Sequence, residues 1–413
     1  MLSKQPKHFI RISIVLFSML LLLIHPTEIN GSIKSESLDH SKKQSNIQPF
    51  DMHQPLKRFV VDSGYHFDYP DAVRGIYVTG KTAGDDRFRQ LLDLVENSDL
   101  NAMVIDIKED YGHLTFVPDQ SSPYKGIAKD KIKNMKHLMK TLEEKNIYPI
   151  ARVVVFKDTV LAHERPDLSF TKDGSVWVNN GGEAFVNPFE KEVWDYNIDI
   201  AKLAAEMGFQ EIQFDYVRFP EGFETRDEDL EYSLGDYDNS QLSHVQRRVE
   251  AVTDFVAYAK KELAYYDVDI SVDIFGYAAT IPETPGIGQN FAKISEQADV
   301  ISSMIYPSHW SENDFGIPLP DEEPYRLVSE YAKVENQVLD KLDNPPISRP
   351  WIQDFEAPWL YEGPPTTYGK EEVEAQIKAL NENGIDEFLI WNAGNVYTKN
   401  VDYTPNDEKK EEE

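Results

Sequence analysis

Short runs rich in β-branched and aromatic residues alternate along the chain with longer segments whose apolar positions recur at helical spacing. The strands predicted this way are Arg74–Val78, Ala102–Lys108, Tyr148–Phe156, Glu211–Val217, Asp269–Phe275, Val300–Tyr306, Pro350–Phe355 and Glu387–Trp391. Each of the first seven is followed by a predicted helix: Asp86–Ser98, Lys129–Lys145, Lys191–Met207, Ser240–Tyr265, Phe291–Gln297, Tyr325–Leu342 and Lys370–Asn383. Gly208, Asn146 and Gly384 close three of these helices with residues suited to a helix C-terminus. Strand and helix in strict alternation call for a parallel sheet. With no linker interrupting the series, the fold class is α/β, a (β/α)8 barrel. After Trp391 little chain remains for an eighth helix, so the segment before Arg74 or an irregular tail must cover that gap.

The stretch Glu211-Ile212-Gln213-Phe214-Asp215-Tyr216-Val217-Arg218-Phe219-Pro220 is the centre of the pattern. As a strand, it puts Gln213, Asp215 and Val217 on one face and Ile212, Phe214 and Tyr216 on the other. In a barrel the oily face meets the helices, and Asp215 faces the interior near the carboxyl end, where such barrels place their chemistry. An aspartate that merely ends a strand and caps the next turn is the bland alternative.

The other strand ends carry chemistry too. The second has Asp106 and Lys108 on one face, the third Arg152, the fourth Asp215 and Arg218, and the fifth Asp273 as the neighbour of Asp215. The sixth ends in Tyr306 and His309, the seventh in Glu356 and Trp359, and the eighth in Trp391 and Asn392. Singly, each has a structural explanation: Lys108 and Arg152 can neutralise Asp106, His309 can be a support, and the tryptophans can be core. Together they suit glycosidic bond cleavage, which needs two carboxylates and flat aromatic faces for sugar rings. The ionised partner is the one beside Arg218, Arg152 or Lys108, which assigns Asp215 as nucleophile and Asp273 as acid/base, with Glu356 as the rival acid. Neighbouring strands favour a separation of about 5–5.5 Å and retention of configuration, where about 6.5–9.5 Å would mean inversion.

Two long connections complete the cleft. Residues 157–188 include Trp177 and several amides, suited to sugar hydroxyls; residues 221–238 are dense in acids and read as a solvated flap. If that flap borders the cleft, it favours neutral or amino-bearing sugars.

Charge narrows the partners. Lys and Arg number 42 against 72 Asp and Glu, a formal charge of -30, which repels nucleic acid and anionic lipid. The absence of cysteine excludes disulfides and thiolate metal sites. No phosphate-binding glycine motif and no histidine-rich metal motif occurs, so no cofactor and no metal is expected. At the amino terminus Lys4, Lys7, His8 and Arg11 precede the uncharged run Ile12–Ile24, then Pro26. Residues 1–31 are therefore a cleaved signal peptide or a retained membrane anchor, and the protein is exported to the cell envelope or beyond. Residues 32–69 form a linker, 70–398 the barrel and 399–413 an acidic tail; a monomer is expected.

From about Val73 to Gly394 the chain resembles a bacterial glycosyl-hydrolase-domain family of unknown function, assigned to the TIM-barrel glycosidases. The resemblance rests on Arg74-Gly75-Ile76-Tyr77-Val78, Val104-Ile105-Asp106-Ile107-Lys108, Trp194-Asp195-Tyr196-Asn197, the run Phe214 to Pro220, and Met304-Ile305-Tyr306-Pro307-Ser308-His309-Trp310. It implies a glycosidase, and a distant likeness to larger barrel glycosidases supports Asp215 as nucleophile. Those enzymes carry glutamate at the fifth strand, where this chain has Asp273, so the acid/base stays open between Asp273 and Glu356. Three functions follow: a hydrolase of an envelope or extracellular polysaccharide, a barrel that binds glycan or cell wall without cleaving it, and a metal-dependent hydrolase using Asp106, Asp215 and His309.

Overall fold

The computed structural model describes residues 61–404, apart from 239–240 and 362–366. The predicted amino-terminal signal or anchor segment, most of the predicted linker and most of the predicted acidic tail lie outside the described residues. Among those residues, no helix is long and apolar enough to cross a membrane.

Eight parallel staves close into a barrel. They are β1 (Arg74–Val78), β2 (Ala102–Lys108), β3 (Tyr148–Val154), β4 (Glu211–Asp215), β5 (Asp269–Phe275), β6 (Val300–Met304), β7 (Trp351–Gln353) and β8 (Phe388–Trp391). Each pairs with the next, β8 pairs with β1, and the seventh stave is entered through a short lead-in, Ile347–Ser348, that pairs with β6. Among the described residues one main helix lies in each connection between staves, α1 (Phe88–Glu96), α2 (Met135–Glu144), α3 (Lys191–Glu206), α4 (His244–Leu263), α5 (Phe291–Ser295), α6 (Pro324–Leu339) and α7 (Lys370–Glu382), with the short helical segments Gly80–Ala83 and Thr159–Glu164 besides. Their apolar stripes, such as Phe88, Leu91, Leu92 and Val95 of α1, pack on the outward faces of the strands and form the main core. The fold is therefore a (β/α)8 TIM barrel, with the predicted seven helices between eight strands. Among the described residues no regular eighth helix follows β8. Tyr397, Val401 and Tyr403 of an irregular tail are buried instead, and Asn395 Nδ2 donates to the Tyr77 carbonyl at 2.9 Å, sealing the β8–β1 seam.

The inward faces are charged at both ends, with apolar side chains and the buried Gln213, Ser271 and Ser302 between, Gln213 Nε2 donating to Ser302 Oγ at 3.3 Å. At the amino end Arg349 donates through Nη1 to both oxygens of Glu211 at 2.8 Å and through Nε to Glu387 at 2.7 Å, while Tyr69 accepts from its Nη2 at 2.7 Å. The last residues of the predicted linker thus plug the bottom of the barrel. Val73, Ala102, Val104, Ile150 and Leu389 fill the middle with Trp351, and the catalytic-end layer sits above them.

Two elements depart from the alternation read in the sequence. A register shift falls between Asp106 and Lys108, so Ile107 is bulged and Lys108 turns out of the barrel. Strand β4 ends at Asp215, and Tyr216 has φ 54, a left-handed conformation that is costly for an aromatic residue. Tyr216 therefore leaves the oily face assigned to it and enters the cavity above the barrel, while Val217 is fully buried.

Candidate active site

A cavity of about 830 Å³ opens at the carboxyl ends of the strands. Asp215 and Asp273 both line it. The β4–β5 register runs in step to Phe214↔Val272, one residue before this pair, so the two carboxylates stand at neighbouring strand ends.

Their surroundings differ. Arg152 donates to Asp215 Oδ2 through Nε at 2.9 Å and Nη2 at 2.6 Å, and the Tyr216 backbone N–H donates to Oδ1 at 2.6 Å. Asp273 receives one hydrogen bond, from Trp351 Nε1 at 2.7 Å, and is 2% exposed. Burial, and then the charge of Asp215, push its carboxyl well above the usual carboxylate range. One carboxylate is thus held by a cation and its neighbour is driven to keep its proton, the division of labour that acid-assisted bond cleavage requires.

Arg152 organises the rest. Its Nη1 reaches Asp106 at 2.8 Å and its Nη2 reaches Asp110 at 2.9 Å. Burial works against Asp110, yet Arg152 and Lys157 hold it down at about 2. Burial pushes Asp106 upward against the pull of Arg152, and Tyr77 donates to it at 2.6 Å. Tyr77 in turn stacks on Trp391, with centroids 4.0 Å apart, and so backs the Trp391 ring that lines the cavity. Arg218 lies over Tyr216 and Phe275, 4.7 and 4.8 Å from their centroids, and pairs with Glu221 at 3.0 Å. Tyr306 is buried against the cavity, and desolvation pulls His309 below its ordinary value; the His309 Nδ1 meets Ser308 Oγ at 3.0 Å.

Of the residues singled out in the sequence, Asp215, Asp273, Arg152, Arg218, Tyr306, His309 and Trp391 meet in this cavity, and Asp106 supports it through Arg152. Lys108 does not. The bulge sends it outward, where it pairs with Asp158 at 2.6 Å and donates to Asn197 of α3 at 3.0 Å, both fully buried. Glu356 is exposed and does not line the cavity. Asn392 ties the turn after β8, donating to the Asp354 and Val396 carbonyls at 2.6 and 2.8 Å. Trp177 lines an adjoining cavity, and Trp359 stands on the rim. Asp110, Tyr77, Tyr216, Glu221, Glu224 and Trp351 belong to the site but were not singled out. Asp110 follows Asp106 by one turn of loop, and Tyr77 and Trp351 could be found from period-two alternation; Tyr216 could not. The acidic stretch 221–238 is no free flap: Thr171 and Glu231 exchange backbone hydrogen bonds at 2.9 and 2.8 Å, and Phe223 and Tyr232 pack on Phe170. Among the described residues no group of three or more His, Cys, Asp or Glu side chains is arranged to hold a metal ion.

This is a TIM barrel with two carboxylates, Asp215 and Asp273, in a cavity at the carboxyl ends of its strands. The chain belongs to the family described as "Putative glycosyl hydrolase domain", which matches residues 75–397. No curated protein matches it. A hypothetical protein from Ruminiclostridium thermocellum ATCC 27405 is 35% identical over 48% of this chain and 96% of that one, with a TM-score of 0.41. The PgaB (BpsB) glycoside hydrolase domain from Bordetella bronchiseptica is 15% identical, covering 78% of this chain and 94% of that one, with a TM-score of 0.54. A β-galactosidase from the psychrophilic Marinomonas ef1 is 10% identical, covering 77% of this chain and 54% of that one, with a TM-score of 0.51. The last two share the fold.

Proposed function

We propose that this protein is an exported glycoside hydrolase that cleaves a cell-envelope or extracellular polysaccharide by a two-carboxylate, retaining mechanism. The observation that carries the proposal is the pairing of Asp215, gripped by Arg152, with Asp273, whose proton is held by burial and by the charge of Asp215. Membership of the family supports it. In the first step an Asp215 oxygen bonds to the anomeric carbon while the glycosidic C–O bond breaks, and the Asp273 proton passes to the leaving oxygen. Water then attacks the glycosyl ester, returning a proton to Asp273 and freeing Asp215. Acids on the cavity wall, Glu221, Glu224 and Asp314 among them, favour neutral or amino-bearing sugars over uronic acids. Export rests on the basic residues ahead of Ile12–Ile24, whether that segment is cleaved or kept as a tether.

The test is reducing-end release by residues 48–413 over a panel of bacterial polysaccharides, alongside Asp215→Asn. Release is expected to fall about a thousandfold or more in the variant. The anomer first formed, read by proton NMR, is expected to match the substrate's. Release that survives Asp215→Asn would remove the mechanism; retention of both proteins on one polymer without release would make this a glycan-binding barrel.

A further inference from the structure

We propose that the substrate lies as a chain across the whole barrel mouth, from Trp177 on one rim to Trp359 on the other, and that cleavage is internal to that chain. The proposal rests on the glycosidase reading above and adds to it the length of glycan recognised and the position of the cut.

Beside the catalytic cavity lies a second hollow of about 470 Å³, and Tyr216, Arg218, Glu221 and Gly222 line both. Trp177 forms part of the far wall of this extension, partly exposed, with the Arg226 guanidinium 5.3 Å from its ring centroid. The walls are built in advance. Trp177 N–H donates to the Phe170 carbonyl at 2.8 Å, and Phe170 packs on Phe219 and Phe223 in the neighbouring loop. Gly222, at φ 65, makes the turn that lets that loop pass between the two hollows. A preformed pocket costs less to fill than one that must be ordered by its ligand.

On the other side of the mouth Trp359 follows β7 and is 62% exposed. It runs alongside Phe355, centroids 6.3 Å apart, and meets the ring of His309, a wall of the catalytic cavity, edge-on at 6.2 Å. The Trp177 loop follows β3, and β3 and β7 stand four staves apart in a ring of eight, so the two loops face each other across the opening. One exposed tryptophan means nothing by itself. Two on opposite rims, with Asp215 and Asp273 of the intervening β4 and β5 between them, suit the apolar faces of successive sugars along a chain. An enzyme trimming chain ends needs a wall that closes one side of its catalytic pair; here a second hollow adjoins the cavity on the Trp177 side, and the exposed Trp359 stands on the other.

The test uses the polysaccharide degraded in the reducing-end screen, with octasaccharides and disaccharides prepared from it. Early digests by the wild-type protein are expected to hold a spread of intermediate lengths. In Trp177→Ala and in Trp359→Ala, the ratio of kcat/KM on the octasaccharide to that on the disaccharide is expected to fall about tenfold, equivalent to about 1.4 kcal/mol. An unchanged ratio in both variants, or release of one terminal sugar or disaccharide from the start, overturns the proposal. If no polymer is cleaved, the glycosidase reading is what has failed. The platforms are then judged on Asp215→Asn protein migrating through gels cast with chitosan or β-glucan, where adding either tryptophan substitution must weaken retention; equal or absent retention overturns them.

Discussion

Arg152 grips Asp215 through two nitrogens that converge on a single oxygen, Nε at 2.9 Å and Nη2 at 2.6 Å from Oδ2. The same guanidinium serves Asp106 and Asp110, so one buried cation compensates three carboxylates. Arg152→Met would leave Asp106 and Asp215 buried without their cation, a loss of about 3–5 kcal/mol, while Asp110 keeps Lys157 at 3.1 Å. Arg152→Lys is expected to do little better, because an ammonium lacks the planar fork that reaches three partners. Denaturant unfolding and reducing-end assays on both variants check this; a lysine variant with unchanged stability and turnover would refute it.

The proton on Asp273 should appear in the pH profile. Its folded-state value lies well above the carboxylate range, from burial first and from Asp215 second. Activity that needs a protonated Asp273 therefore persists above the pH at which an ordinary carboxyl is ionised, and falls on the alkaline side as that proton leaves. Asp273→Asn is expected to lower kcat by about 10²–10⁴-fold and abolish that limb. In Asp215→Asn the neighbouring charge is gone, so the Asp273 carboxyl band in infrared titrations should move to lower pH. A wild-type Asp273 that ionises in the ordinary carboxylate range would sink this account.

Lys108 and Asp158 test a purely structural claim. Burial pulls the lysine below its ordinary value and the aspartate above its own, each opposed by its partner. Lys108→Met alone strands Asp158 and should destabilise by about 3–5 kcal/mol. Adding Asp158→Asn removes the stranded charge while keeping an oxygen for the Leu161 N–H, which Asp158 Oδ1 now caps at 2.8 Å. The double variant should recover much of the loss with kcat unchanged. A single substitution that spares stability but reduces kcat would restore Lys108 to the cleft.

The barrel was legible because eight strand patterns and seven helix patterns repeat without interruption, and alternation by two carries Arg152, Asp215 and Asp273 to one interior. What escaped the sequence were breaks in that alternation. The bulge at Ile107 reverses Lys108, and the left-handed Tyr216 moves a residue from the helix side to the cavity; neither has a local signature. Glu356 lies outside the cavity for another reason: it is beyond the end of β7, where the strand period no longer says which way a side chain points. The acidic loop was misread because its charges are visible in the sequence, whereas its anchors, Phe223 and Tyr232, act through Phe170, in a different loop.

At the amino end of the barrel Asp269 makes a prediction about stability alone. Its carboxyl is raised to about 6, by burial and then by the charges of Glu211 and Asp299, with Arg349 pulling the other way. In the unfolded chain an aspartate ionises near about 3.9. Between these values the folded protein holds a proton that the unfolded chain has released, so the contribution is fully present below the lower value and is lost as pH rises through about 6. Asp269→Asn should therefore leave stability unchanged near pH ~4 and raise it near pH ~7.5 by about 1–2 kcal/mol, less than the full shift implies because the group is partly solvated. Thermal melts at the two pH values would show a gain of about 2–4 °C at the higher one only. An equal gain at both would mean that the substitution acts through packing, and a loss at the higher pH would mean that Asp269 is stabilising as a charged partner of Arg349.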